Sequence, residues 1–498
     1  MILASLSIGA YVGIGIAALV VVFFVALIIR TATYRKDKTP QRLVIDEDVS
    51  QEAAATHLQE AIRFSTVSMV DEYKDNSAPF LAFRQWMFDT YPLFTSQASL
   101  TVIAGYSLIF HLKGTDPTLK GACFLSHQDV VPAPTDGWTH DPFGGELAED
   151  GYIYGRGALD MKCHLVSVLE ALEYHLAHGT VFKRDIYVCF GHDEEPGQSF
   201  EGAPNIVKHL KAQGVEMEYV LDEGGTGIEG KTLFSEGLVA MVGAAEKGNG
   251  DLEIVVHGTG GHASSPRFPS ANGRLATVIK KIEKHYMPTH ITPLSRKTFL
   301  ALAPHTNPLF KFFMVNSDVF SPLFRFILGK ASSVTNALIR TTLAPTMLWG
   351  PDARNVLPRE VKLNVNYRTL TGDTAEDVRR HLEKLLHRYI KKGIVSIHML
   401  GYSDPSAVAD VDSAAYNVLA KSIRQTFPDV SVVPYTMVGA TDSRFYYPLT
   451  QNVYRFGPFV WGFDDESRVH GLDERIRPEQ MGRAVQFFVN LMRNSCAE

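Results

Sequence analysis

Five short stretches of this sequence end in groups that hold metal ions or move protons. ACFLSHQDVV carries His127 and Asp129 two residues apart, so in an extended strand both side chains leave the same face. GRGALDMK closes around Asp160, and GHDEE places Glu194 and Glu195 directly after Asp193. LDEGG contains Asp222, and RVHGLDE brings in His470 near the end of the chain. Singly, each has an ordinary reading. A strand-end histidine is commonly a hydrogen-bonded structural residue, and Asp or Glu there caps the next helix. Together they point elsewhere. Carboxylates crowded at one sheet edge repel one another, and a divalent cation removes that repulsion. Mixed histidine and carboxylate ligands suit zinc, with cobalt or manganese as substitutes. Five ligands with one shared carboxylate hold two metals, and adjacent glutamates divide the labour, one on the metal and one free as a base. The chemistry of such a set is metal-assisted hydrolysis.

The elements that must position these groups follow from the hydrophobic pattern. ACFLSHQDVV, DIYVCFGHDEE and MEYVLDEGG each read as an apolar strand ending in acidic or histidine residues. Between the first two, DMKCHLVSVLEALEYHLAHG sets Val166, Leu169, Leu172 and Leu176 at helical spacing. This alternation predicts an α/β fold with a mainly parallel central sheet, in which functional residues gather at the carboxyl ends of strands. Near Lys247 the texture changes. DLEIVVHG and VKLNVNYRTL read as strands, and SANGRLATVIKKIEKHY and AEDVRRHLEKLLHRYI as helices. The expected organisation is a catalytic domain over 51–245 and 371–498, with a smaller α+β domain inserted at 246–370. Within the insert, PLFKFFMVNSDVFSPLFRFILG is rich in Phe and Leu. It reads as a buried helical hairpin, or as an apolar wall for a lipid-like substrate or a membrane.

Met1 to Ile29 contains no charged side chain, and Ile8 to Ile29 is long enough to cross a hydrocarbon core as a helix. A cleaved signal usually has a basic start and a shorter apolar core, so an uncleaved single-pass anchor over 1–29 is expected. A polar linker over 30–50 follows. Arg30, Arg35, Lys36, Lys38 and Arg42 come after the span, which places the body on the cytoplasmic side by the positive-inside rule. The net charge of −6 gives no basic excess for nucleic acid. The 4 cysteines are too few for a disulfide framework in 498 residues.

SHQDVVPAPTDGWTHDPFGGELAEDGYIYGRGALDMK, then GHDEEPG, LDEGG, GHASSP, GATDSRF and VHG, resemble the dizinc aminoacylase and carboxypeptidase hydrolases. The branch most similar holds the N-fatty-acyl-amino acid synthase/hydrolases and the Gly-X carboxypeptidases. The resemblance runs from about Phe64 to the last helix. It implies that His127 and Asp222 bind one zinc, Glu195 and His470 bind the other, and Asp160 bridges them. Glu194 is then the general base, and Asp129 a carboxylate behind His127 that orients it. His262 in GHASSP would reach a substrate carbonyl oxygen, often across a homodimer interface formed by the inserted domain. Asn355, Arg368 and Arg444 would hold the substrate's carboxylate. The implied substrates are N-acyl amino acids, with long acyl chains favoured by the Phe-rich segment and the anchor. Short peptides, as for a carboxypeptidase, are the alternative. A non-catalytic, membrane-tethered binding protein on the same fold would predict damaged ligand positions, and these are intact. Cys163 departs from the family pattern, and a buried, inert thiol is expected. The resemblance also implies a catalytic domain on the non-cytosolic side, against the direction given by the basic residues.

Overall fold

The structure, a computed structural model, describes residues 8–34, 42–68, 77–196, 201–230, 237–351, 353–462 and 464–497. Apolar strands without polar alternation need cover on both faces. Gly121–His127 and Ile186–Gly191 are buried at every residue, and they pair in parallel in the middle of a 10-stranded sheet. From one edge the order is Ser99–Ile103, Ser107–Leu112, Ile186–Gly191, Gly121–His127, Met217–Asp222, Val453–Arg455, Leu238–Glu246, Gly227–Glu229 and Val460–Trp461. Ser431–Met437 joins alongside Leu238–Glu246 in parallel. The sheet is mixed: the central His127, Gly191, Asp222 and Arg455 strands run parallel, and the first two strands are antiparallel to their neighbours.

Alternation along the His127 strand divides the core. Ala122 and Phe124 face one layer, with Leu165, Leu169, Phe487 and Phe488, while Cys123 and Leu125 face another, with Ile206, Leu210 and Val220. The helix Lys162–Ala177 lies in the first layer and is buried along most of its length, Lys162, Cys163 and His164 included. Phe488 of the last long helix, Pro478–Met492, packs edge-on against Phe124 and against the His164 ring. Cys163 is a free, buried thiol whose pKa burial pushes well up, as an inert core residue requires.

A second sheet has four antiparallel strands in the order Thr342–Trp349, Glu360–Thr369, Gly248–His257 and Val395–Ser403. Helices Ala271–Lys284 and Ala375–Ile390 supply Leu275, Val278, Val378, Leu382 and Leu386 to its own apolar core. This differs from an insert ending at 370 in two ways. The Ala375–Ile390 helix and the Val395–Ser403 strand belong to the second sheet. Within the expected insert, the helices from Pro293 to Ala331 pack instead on the central sheet. There Phe299, Leu302, Met314, Phe324 and Leu328 meet Val239, Met241 and Val433. Chain order hides this division, because the Gly248–His257 strand pairs on both sides with strands more than a hundred residues later.

Among the described residues one helix, Ile8–Thr33, is long and apolar enough to cross a membrane, and it is largely exposed. Of the basic residues that follow it, Arg35, Lys36 and Lys38 lie outside the described residues. The segment expected as a linker is partly helix, through Thr33. Further on it is tied to the body: Val44 N–H donates to the Gln425 carbonyl (2.9 Å), and Arg493 bonds Asp46 (3.0 Å).

Candidate active site

Three strand ends and two loops bring the acidic and histidine groups together. His127 ends its strand, and Glu194 and Glu195 follow the Gly191 strand end. Asp160 sits in the loop before the Lys162–Ala177 helix, and His470 in the loop before the last helix. The distances define a chain. His127 Nε2 lies 3.0 Å from Asp160 Oδ1 and 3.4 Å from Glu223 Oε1. The other oxygen of Asp160, Oδ2, lies 3.1 Å from His470 Nε2, which is 2.8 Å from Glu195 Oε2. Asp160 therefore presents one oxygen to each histidine. Glu194 closes the arrangement, with an oxygen within 4.8 Å of donor atoms of both His127 and Glu223.

The structure turns Asp222 away from this cluster and brings its neighbour, Glu223, into it. Asp222 Oδ1 accepts from the Glu223 N–H (2.9 Å), and Oδ2 accepts from the Ser443 N–H (2.9 Å). Successive residues of a strand point to opposite faces, so a shift of one position exchanges the face. LDEGG offers two acids in a row, and the sequence pattern does not say which faces His127. Asp222 instead braces the loop that carries Asp442 and Arg444. A buried ion pair supports the same loop from below: Glu246 Oε1 takes Arg455 Nε (2.9 Å), the Thr441 N–H (3.0 Å) and the Thr441 hydroxyl (2.7 Å).

Asp129 stands behind the cluster. His127 Nδ1 lies 2.8 Å from the Asp129 main-chain carbonyl and 3.5 Å from its Oδ1, which fixes the ring's tautomer and direction. Asp129 Oδ2 takes the Ser68 hydroxyl and the Glu195 N–H (3.1 Å), so one carboxylate steadies a histidine and a glutamate together. Glu474 does the same for Asp160. Its Oε1 accepts from the N–H groups of Gly157 (3.1 Å), Leu159 (2.7 Å) and Asp160 (3.0 Å), and its Oε2 pairs with Arg156 (2.5 Å). His470 has a φ of 61°, a left-handed conformation that is rare for a residue with a side chain and clusters at functional sites. The sequence pattern does not single out Glu223, Glu474 or Asp442. Glu474 lies four residues after His470, but spacing carries no sign that it folds back onto the Asp160 loop.

The electrostatics describe a site with surplus negative charge. Burial pushes Glu194 and Asp442 well up, with Glu223 adding to the effect on the first and Asp222 on the second. Burial and then repulsion by Asp160 push Glu223 to about 8 and Glu195 to about 7. Hydrogen bonds to Asp160 and Glu195 raise His470 to about 10. Burial opposes a charge on His127, yet Asp129, Asp160 and Glu223 still lift it well above its ordinary value. Glu195 Oε1 is buried without a hydrogen-bond partner. Buried acids that resist ionisation, imidazoles that hold protons and an oxygen with no donor are all relieved by a divalent cation. His127, Glu223, Asp160, Glu195 and His470 could hold it.

The remaining predicted residues divide into two places. Arg444, on the Asp442 loop, reaches the second sheet at Ser403 (3.4 Å) and stacks on Phe445. Arg368 of the Glu360–Thr369 strand feels it: burial first and then repulsion by Arg444 lower the Arg368 pKa. Arg444 Nε is buried and unpartnered, which favours an anion there. His262 and Asn355 meet elsewhere. They lie on the ribbon that pairs Gly261–His262 with Val356–Leu357, where the Ala263 N–H donates to the Asn355 carbonyl (2.9 Å). His262 is exposed, its Nδ1 lies 2.7 Å from the Ser264 hydroxyl, and no contact of the described residues links it to the carboxylate cluster.

A pocket of about 350 Å3 starts at Asp160 and Glu223 and is lined by Met161, Ile228, Met241, Met437 and Phe459. It is within the usual range for small-molecule sites, and its walls are largely apolar.

A family model described as peptidase family M20/M25/M40 matches residues 123–494. An N-fatty-acyl-amino acid synthase/hydrolase of Xenopus tropicalis is 35% identical over 484 residues, covering 95% of this chain and 93% of that one. A probable carboxypeptidase S-like protein of Dictyostelium discoideum is 35% identical over 449 residues, covering 89% and 85%. Among solved structures, an M20 family metallo-carboxypeptidase of Sulfolobus solfataricus matches with a TM-score of 0.64 at 16% identity, over 90% of this chain and 99% of that one.

Proposed function

We propose, for a chain that belongs to peptidase family M20/M25/M40, hydrolysis of the amide bond of N-acyl amino acids with long acyl chains, and the reverse synthesis. Membership makes the chain a hydrolase of amide bonds. The observation that supports a two-metal hydrolase is Asp160, with one carboxylate oxygen toward His127 and the other toward His470. That is the placement of a ligand shared by two cations. His127 and Glu223 would hold one zinc, Glu195 and His470 the other, and Asp160 both, with cobalt or manganese as substitutes. Bound there, the metals supply Lewis acidity, which brings a water's pKa toward neutrality and offsets negative charge on the acyl oxygen.

The chain's own residues do the rest. Glu194, buried and uncommitted to a cation, takes the proton of the attacking water and returns it to the leaving amine nitrogen. Asp129 and Glu474 hold His127, Glu195 and the Asp160 loop so that nothing reorganises during the step. Arg444 and Arg368 fork the amino acid's carboxylate, which excludes internal peptide bonds. The apolar pocket beside Asp160 and Glu223 takes the acyl chain, and its methionines suit a flexible tail. His262, together with Asn355, would reach the acyl oxygen or the carboxylate from a second copy of the chain, since neither meets the cluster within one chain. Ile8–Thr33 is an uncleaved anchor in this reading. The relative from Dictyostelium supports the alternative, a carboxypeptidase that releases C-terminal residues from short peptides.

The test is turnover of N-oleoyl-phenylalanine and of a Gly-Leu dipeptide by the zinc-loaded full chain, beside Glu194→Gln. Cleavage of the first alone, lost in the variant, is the expected result. Cleavage of the dipeptide alone would make the protein a carboxypeptidase.

A further inference from the structure

The Ile8–Thr33 helix is docked to the body by its last two turns. Arg30 forks Asp318 with both contacts at 3.1 Å, Asn316 Nδ2 donates to the Thr31 hydroxyl (2.9 Å), and Leu27 is buried. One contact lies further in: Phe24 stacks on Phe320, with ring centroids 6.5 Å apart. At about 1.5 Å of rise per residue, Phe24 lies roughly 9 Å along the axis from Arg30, on the apolar side. An apolar span that begins at Ile29 therefore carries Phe320 below the level of its own first charge. The hairpin that bears Phe320, helices Pro308–Val315 and Ser321–Ala331, goes with it.

That hairpin is built for such a place. Leu309, Leu323 and Phe326 expose 65%, 48% and 66% of their surface. Leu323, Phe326 and the exposed Lys330 follow one another at helical spacing along one face, an apolar stripe with a cation that can reach the headgroups. The inner face, Met314, Phe324 and Leu328, is packed on the central sheet, so the outer face is not core in waiting. Residues 293–341 contain six basic side chains against one acid, Asp318, in a chain whose net charge is −6. Arg296 pairs with Asp318 and Lys297 with Asp412, while Lys311, Arg325, Lys330 and Arg340 form no ion pair among the described residues. Asp318 is itself spent on Arg30 and Arg296. The local excess of positive charge complements anionic lipid.

We propose that the 308–331 hairpin is seated in the headgroup region of an anionic bilayer beside the Ile8–Thr33 span, so that the protein holds the membrane with three helices instead of one. The seat lies against the substrate pocket. Ile228, Met241, Leu338 and Tyr435 line that pocket on one side and pack into the apolar cluster of Met314, Phe324 and Leu328 on the other. The hairpin and that one layer of side chains then stand between the bilayer and the space proposed for the acyl tail. The inference rests on reading Ile8–Thr33 as a span, and the test separates the two.

The full chain is placed in nanodiscs of phosphatidylcholine and phosphatidylserine containing doxyl-labelled lipid, with an environment-sensitive dye on one introduced cysteine. All four native cysteines are buried and stay silent. Leu19→Cys reports the span, Phe326→Cys the hairpin, and Phe268→Cys, which replaces a side chain 81% exposed on the second-sheet domain, reports water. Lipid quenching that cuts emission roughly by half at 19 and at 326, strongest at 326 for a shallow doxyl group, with none at 268, is expected. Quenching at 19 without quenching at 326 overturns the hairpin seat. Absence of quenching at 19 overturns the span and the seat together.

Discussion

At the edge of the central sheet His127, Glu195 and Asp160 are held from behind. Asp129 grips His127 and Glu195, Glu474 grips the Asp160 loop with three N–H bonds, and Asp222 pins the loop of Asp442 and Arg444. The second sheet treats its polar groups differently. His262 stands exposed on a two-residue ribbon, and Arg368 senses Arg444 only as charge repulsion between the two sheets. Preorganisation is worth most where charge changes during the reaction. A group that only recognises one end of the substrate needs the right charge and reach, and exposure costs it little. The contrast therefore sorts mutations: damage at the first region appears in kcat and metal content, damage at the second in KM.

The largest effect is expected at Glu194. Glu194→Gln keeps the shape and removes the proton acceptor, so kcat should fall by about 10²–10⁴-fold with KM and metal content unchanged. A variant with near-native kcat would remove Glu194 from the chemistry. Next comes the pair of adjacent acids. Glu223→Ala should weaken zinc binding by at least about 100-fold, whereas Asp222→Asn, which disturbs only the supporting loop, should cost about 10-fold. Calorimetric titration of the metal-free chain measures both, and the reverse order would return Asp222 to the metal. At the junction, Arg444→Ala should raise KM by about 10–100-fold, the worth of a charged hydrogen bond, with kcat little changed. A substrate whose carboxylate is replaced by carboxamide should lose that difference, and equal losses for both substrates would place Arg444 outside carboxylate recognition.

The smallest effect concerns the frame below the site. Burial lowers the His175 pKa to about 4, outweighing the Val489 carbonyl 3.0 Å from its Nε2, which favours the charged ring, so the folded protein holds this ring neutral. Between about pH 6.5 and 4 the unfolded chain binds a proton that the folded chain refuses, so stability falls as pH falls through that window. From pH 7 to pH 5 His175 should remove about 2 kcal/mol. Urea denaturation of the wild type and His175→Gln at both pH values checks this: the variant should lose less on acidification, and parallel losses would show that the ring is protonated in the fold.

Much of this was legible in the sequence for a physical reason. Strands buried on both faces are written as unbroken apolar runs, and their carboxyl ends can be read directly, which located His127, Glu194 and Glu195. The helix Ala375–Ile390 announced itself by periodicity as well. Its membership in the second sheet did not, because pairing between strands distant in the chain leaves no local trace. Glu223 against Asp222 was beyond reach for a similar reason: which of two adjacent acids faces inward is decided by where the strand ends. Glu474 acts through backbone N–H groups of a loop more than three hundred residues earlier, and no spacing rule records that. The hairpin at 308–331 was ambiguous because its sequence is apolar on both faces, and packing alone shows that one face is spent on the central sheet.

The most direct test is diffraction from zinc-soaked crystals of the full chain, recorded on both sides of the zinc absorption edge. Two anomalous peaks, about 3.5–4 Å apart on either side of the Asp160 carboxylate, are predicted. One should be bound by His127 and Glu223, the other by Glu195 and His470. A single peak would contradict the two-cation centre, and a peak coordinated by Asp222 in place of Glu223 would contradict the ligand assignment.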